Sequence, residues 1–195
     1  LEETMQAFAD LVRAGKVLYV GVSEWTAEQI RAGHKLATEL GFQLVSNQPQ
    51  YSALWRVIEG KIVPTCEELG MSQIVWSPMA QGVLSCKYLP GEAIPKNSRA
   101  ADKKGGERFV AKFMDDKTLT QVQLLKPIAA EAGLTMPQLA IAWVLQNPNV
   151  SAALVGASRP KQLNDTVQAS GVKLDREVVE QVNAILDPVS NKDPE

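Results

Sequence analysis

Histidine is almost absent from this 195-residue chain, with His34 alone, and cysteine occurs only at Cys66 and Cys86. A structural zinc site needs four closely spaced Cys or His ligands, and that supply is missing. Two isolated cysteines also read as reduced thiols and not as a disulfide framework. Charge bias is lacking too, with 20 Lys+Arg against 22 Asp+Glu and a formal charge of −2. The strongly basic domain or stripe that nucleic-acid binding demands is not there. Apolar runs such as residues 74–78 fall far short of the roughly 18 residues of a membrane helix, so no span is expected. What is present is ordinary, 45% hydrophobic and 22% charged residues, the composition of a chain that folds around a core.

Along the chain a helix-then-strand unit recurs. The opening LEETMQAFADLVRAG carries no charged-then-apolar leader, sets Met5, Phe8, Leu11 and Val12 at helical spacing and stops at Gly15. Residues 17–23, VLYVGVS, are β-branched and aromatic and are expected to form a strand buried on both faces. Thr26 and Gln29 make a capping-box pattern that opens a helix through Ile30, Leu36, Ala37 and Leu40 to Gly41. FQLVSNQ is a second strand, residues 57–69 a helix before Gly70, and residues 72–78, SQIVWSP, a third strand. Residues 85–117, polar and broken by Gly91, Gly105, Gly106, Pro90 and Pro95, read as a long loop over one face. A helix kinked at Pro127 is expected over residues 118–132, and Pro137 opens another to about Gln146. VSAALVGA supplies a fourth strand, followed by helices from near Arg159 and from Asp175.

Such alternation forces parallel strands joined by right-handed crossovers, an α/β fold. An open doubly wound sheet holding a dinucleotide would show a GxGxxG turn after an early strand, and the chain has none. The (β/α)8 TIM barrel is favoured. A whole barrel takes about 250 residues and eight strands, so four strands correspond to about its second half, a single domain over residues 1–195 with 85–117 as a cofactor-covering loop. Working residues in that fold lie at the carboxyl ends of strands: Ser23, then Asn47 and Gln48, then Trp76 and Ser77, then Gly156 and Ser158. None is an acid, base or nucleophile with a paired activator. Amides and hydroxyls orient a polar ligand, and Trp76 offers a flat face to a ring.

The segment GASRPKQ, residues 156–162, joins a glycine to a helix start and suits phosphate. Arg159 and Lys161 lie beside it, and Lys87 and Arg99 could reach in from the long loop. A ring platform with two phosphate neighbourhoods fits a dinucleotide. Plainer readings stand beside this one: Trp76 as core, Ser23 and Ser77 as strand ends, the four cations as solvated charges. Gln48 is harder to dismiss, because an amide buried in an apolar strand needs partners. His34, with no Ser, Cys or Asp placed to work with it, reads as structural or solvated.

The strings GKVLYVGVSEW, NQPQYS, IVWSPMAQGVLSCKY, SRA at 98–100, PQLAIAWVLQNPNV and GASRPKQL resemble, in this order, the aldo-keto reductase superfamily. The branch resembled holds the potassium-channel β subunits and many bacterial oxidoreductases, and the likeness runs from Leu1 to about Pro188. It implies a cytoplasmic TIM-barrel protein that binds NADPH across its carboxyl-terminal mouth and reduces aldehydes or ketones by hydride transfer. By that resemblance Ser23 and Gln48 hold the nicotinamide carboxamide and Trp76 stacks on its ring. Ser77, Pro78, Met79, Ala80 and Gln81, with Lys87, Asn97 and Arg99, wrap the pyrophosphate and the adenosine 2′-phosphate side. Gly156, Ser158, Gln162, Asp165 and Thr166 close the adenosine end. Glu24, Asp165 and Thr166 depart from the channel-subunit relatives.

The family's proton-donating tyrosine and its lysine, aspartate and histidine helpers come from the first half of the barrel, so no residue of this chain inherits a catalytic role. Tyr19, Tyr51 and Tyr88 fall in motifs that match other positions. The partner implied is a small carbonyl substrate, and the chain reads either as a piece of a full reductase or as a half-barrel that associates with a second copy to cover its open sheet edges. An NADPH-binding regulatory subunit without significant turnover is the alternative reading.

Overall fold

Parallel strands need long crossovers, and here each crossover carries helix. The computed structural model describes residues 1–193. Within them β1 (Val20–Val22), β2 (Leu44–Asn47), β3 (Ser72–Trp76) and β4 (Val150–Leu154) pair in the order β1-β2-β3-β4, every pair parallel. Spatial neighbours are sequence neighbours, as βαβ units dictate. Register runs Val22 to Asn47, Asn47 to Gln73 and Gln73 to Val150, a stagger that sets the last residues of β1 and β2 beside the first of β3 and β4. Trp76 at the end of β3 bridges to Gln50 beyond β2 and pairs with Leu154 at the end of β4.

The helices follow their local signals. Before β1 comes α1 (Glu2–Arg13), burying Met5 and Ala9. Thr26 and Gln29 exchange the expected reciprocal capping bonds at the start of α2 (Ala27–Glu39), and the chain leaves that helix at Gly41 with φ +79°. Over the expected helix 57–69 the structure differs. A 3₁₀ turn, Val57–Glu59, is separated by Gly60 from α3 (Ile62–Glu68), because glycine weakens the helix interior. Residues 85–117 are not a structureless loop either. They hold a 3₁₀ turn at Arg99–Ala101, α4 (Gly106–Val110) and a further turn at Ala111–Phe113, and they bury Tyr88, Ala100, Val110 and Phe113 in the core.

Asp115 caps α5 (Asp116–Gln123), and the break before α6 (Leu125–Glu131) falls at Leu124, three residues ahead of Pro127, whose missing N–H cannot bond back to Gln123. The next helix, α7 (Met136–Leu145), is entered through a second capping box, Thr135 with Gln138, and is buried along Leu139–Val144. Two more helices, α8 (Pro160–Thr166) and α9 (Arg176–Leu186), complete the described chain. Among the described residues no single helix is long and apolar enough to cross a membrane.

Two apolar clusters hold the sheet. Met5, Ile30, Leu44, Cys66 and Met71 gather α1, α2 and α3 on the β1–β2 side, while Leu54, Val75, Val83, Leu139, Trp143 and Leu186 join β3 to α7 and α9. The strand expected over 17–23 shortens to three residues, and it is not buried on both faces. Leu18 and Tyr19 are 83% and 76% exposed, because β1 pairs on the β2 side only and its entry runs outside the ladder. Apolar surface is open at the other edge as well, at Leu154, Leu163 and Val167.

Candidate functional site

The rim formed by the strand ends is stitched by short bonds between loops far apart in sequence. Ser23 Oγ donates to the Gln48 carbonyl at 2.8 Å, and Gln48 N–H donates to the Val22 carbonyl at 2.8 Å. The Gln48 side chain is exposed, contrary to the buried amide expected. Strand alternation turns the preceding residue, Asn47, inward instead. The buried amides form a ladder lower in the sheet: Asn47 Nδ2 donates to Gln73 Oε1 (3.3 Å), Gln73 Nε2 to Asn149 Oδ1 (2.9 Å) and Asn149 Nδ2 to the Met71 carbonyl (3.0 Å). Ser23 and Gln48 are thus adjacent on the rim, with the Gln48 amide facing outward.

Trp76 ends β3 half-buried, and its Nε1–H donates to Glu24 Oε1 at 2.6 Å. The same oxygen accepts the Gln50 backbone N–H at 2.7 Å. Lys112, from the segment expected to be a loop, donates to Gln50 Oε1 at 3.1 Å and stands 3.3 Å from the Trp55 ring centroid. That segment is therefore anchored on the rim by a cation–π contact and a hydrogen bond.

Between residues 77 and 86 the backbone is strained in one place. Ser77, Ala80, Gln81, Gly82 and Cys86 all carry φ between +46° and +97°. Non-glycine residues adopt such values only where surrounding structure holds them, and turns of this kind aim N–H groups into anion-binding concavities. Gly82 is the tightest point, since an added Cβ would lie 2.6 Å from Lys87 Nζ. Gln81 Nε2 donates to Ser77 Oγ, and the Arg99 guanidinium donates to Gln81 Oε1. Beside Arg99, Ser98 Oγ is buried without a hydrogen-bond partner among the described residues. Pro78 and Ala80 are buried, Met79 is half-buried, and Lys87 and Asn97 are exposed. Lys87, Arg99 and the unpartnered Ser98 hydroxyl thus lie about one strained turn that follows Trp76.

The fourth strand end is built differently. Gln162 Oε1 accepts from Ser158 N–H (3.0 Å), Ser158 Oγ (3.1 Å) and Arg159 N–H (3.1 Å), so it caps its own helix. Asp165 accepts from Thr135 Oγ1 (3.1 Å) and Gln138 Nε2 (2.8 Å), tying α8 to the start of α7. Thr166 is buried, its hydroxyl on the Leu163 carbonyl at 3.3 Å. Gly156, Ser158, Arg159 and Lys161 are exposed. No hydrogen bond among the described residues joins this group to the 77–99 cradle.

The perturbed groups are not tuned to neutral pH. Burial, reinforced by Glu59, pushes the Tyr51 phenol up, and its hydroxyl donates to Glu59 Oε1 at 2.8 Å. Burial also pushes the Cys66 thiol up and that of Cys86 to about 11. Glu24, Gln50 and Lys112 escaped the sequence reading as rim residues, because only tertiary contact joins them. Glu24 carried a trace of signal as a departure from the channel-subunit relatives, and Gln50 as part of the NQPQYS string.

A sheet of neighbouring parallel strands joined by helical crossovers is the α/β architecture from which a barrel is built. Residues 1–187 match the Aldo/keto reductase family, and the chain belongs to that family, whose fold is the TIM barrel of which this sheet is a part. The chain is 37% identical over 191 residues to a Schizosaccharomyces pombe protein named for a voltage-gated potassium channel subunit beta, covering 95% of this chain and 55% of that one. It is 36% identical over 171 residues to the L-glyceraldehyde 3-phosphate reductase of Escherichia coli K12, covering 87% and 49%. It is 31% identical over 195 residues to the oxidoreductase YrpG of Bacillus subtilis, covering 100% and 56%. The chain thus spans about half the length of these curated relatives.

Proposed function

We propose that this chain forms most of the NADP(H) site of an oxidoreductase that interconverts small aldehydes or ketones and alcohols. One observation carries the reading: at or just after the ends of three neighbouring strands stand a hydroxyl and an exposed amide (Ser23, Gln48), a half-buried indole (Trp76) and a turn of positive-φ residues flanked by Lys87 and Arg99. The nicotinamide supplies the hydride chemistry. The chain's own residues orient that ring, bind its phosphates and screen it from water. Arg99 is assigned to the 2′-phosphate, since a guanidinium meets phosphate through paired donors. Ser158, Arg159 and Lys161 are assigned to the adenosine end. The proton donor is assigned outside these 195 residues, because the family resemblance puts the catalytic tyrosine and its helpers in the first half of the barrel.

Fluorescence titration of the intact protein with NADPH is the test. Saturable binding is expected, reduced at least tenfold by Trp76→Ala and by Arg99→Ala, with Arg99→Ala also erasing the preference for NADPH over NADH. Unchanged affinity in both variants sinks the site assignment. Turnover of a panel of small aldehydes separates an enzyme from a regulatory subunit that binds the nucleotide without consuming it.

A further inference from the structure

Glu24 does more at the rim than end a strand. It is a non-glycine residue held at φ +56°, a conformation that persists only where its surroundings enforce it. What enforces it is one carboxylate oxygen, Oε1, accepting the Gln50 backbone N–H at 2.7 Å and the Trp76 indole N–H at 2.6 Å. Both bonds are short and charge-assisted. Through them a single side chain joins the ends of β1, β2 and β3. The tether holds the pyrrole edge of the half-buried Trp76 and restricts rotation of the indole.

The tether also carries charge. An anion bonded to the edge of an aromatic platform enriches the negative face that attracts a cation, and it acts directly on any charge laid against that face. The hydrogen bonds identify Lys112 as the cation next along this chain of contacts, donating to the Gln50 side-chain oxygen.

We propose that Glu24 selects the oxidation state of the ring bound on Trp76, favouring a cationic N-substituted pyridinium over its neutral dihydro form. The inference rests on the reading of Trp76 as the nicotinamide platform. Because oxidised and reduced nucleotides carry the same phosphates, the ratio of their dissociation constants isolates the charge on the ring.

Calorimetric titration of the intact protein with NADP+ and with NADPH tests it, in the wild type and in Glu24→Gln. The amide keeps an oxygen for the two N–H groups and removes the charge. The expected result is a rise of about fivefold in the ratio Kd(NADP+)/Kd(NADPH), equivalent to about 1 kcal/mol. The wild type supplies an independent check: raising salt from about 0.05 to 0.5 M screens the carboxylate, and the same ratio should rise without any substitution. A ratio that stays constant in Glu24→Gln and across salt overturns the proposal and leaves the cofactor reading standing. Failure of either nucleotide to bind the wild type overturns both.

Discussion

Replacing Gly82 by alanine should damage nucleotide binding through a lysine that alanine never replaces. Gly82 sits at φ +97°, and its new Cβ would meet Lys87 Nζ at 2.6 Å and Cε at 2.9 Å. Left-handed backbone costs an L-residue about 1–2 kcal/mol, and the clash falls on the far end of a flexible side chain, which can swing away at little further cost. Stability should therefore fall by about 1–2 kcal/mol, a Tm drop of about 2–8 °C for a chain of this size. With Lys87 in its proposed role on a cofactor phosphate, binding should fall further, since losing a charge-assisted bond worth about 1.5–3 kcal/mol would cost about ten- to a hundredfold in Kd. The assay is NADPH titration of the intact protein in a double-mutant cycle with Lys87→Met. If the loss runs through Lys87, Gly82→Ala should change Kd by less than about twofold once the lysine is gone. Wild-type affinity in Gly82→Ala, or a full loss that persists in the Lys87→Met background, refutes the reasoning.

Two further outcomes follow from the packing. With its thiol raised to about 11 by burial, Cys86 holds only about one thiolate in a thousand at pH 8, so native protein should resist iodoacetamide at both cysteines and label fully on unfolding, as mass spectrometry can read. Fast native labelling of Cys86 would contradict its burial. Asp115→Ala removes the cap that accepts Thr118 N–H at 2.9 Å and should cost about 1 kcal/mol in thermal melts. Burial pushes this carboxyl up, but the bonds from Thr118 outweigh it and hold it below its ordinary 3.8, so the contribution is present above that pH and fades as pH falls through the lower folded value. The melting difference between variant and wild type should accordingly shrink in acid, and a constant difference would rule out the charged cap.

Much of the fold was legible along the chain. The capping box at Thr26 and Gln29, the stop at Gly41 and the four strands all appear where their signals stand, because each depends on residues three or four apart or on a short apolar run. Local signals misled where packing intervened. Gly60 splits one expected helix, and the polar stretch 85–117 folds onto the core because Tyr88, Val110 and Phe113 give it apolar anchors spaced too irregularly to read as a period.

The sequence by itself determined an α/β chain of parallel strands, its motif order and its family, since these follow from periodicity and from contiguous strings. Only the tertiary structure decided which amide faces the rim, Gln48 or Asn47, because strand register sends alternate side chains to opposite faces. It alone also joined Glu24 to Gln50 and Trp76, 26 and 52 residues away, and Arg99 to Gln81. Such contacts carry no trace in the spacing of residues, for they are made when separate crossovers bring their strand ends to one rim.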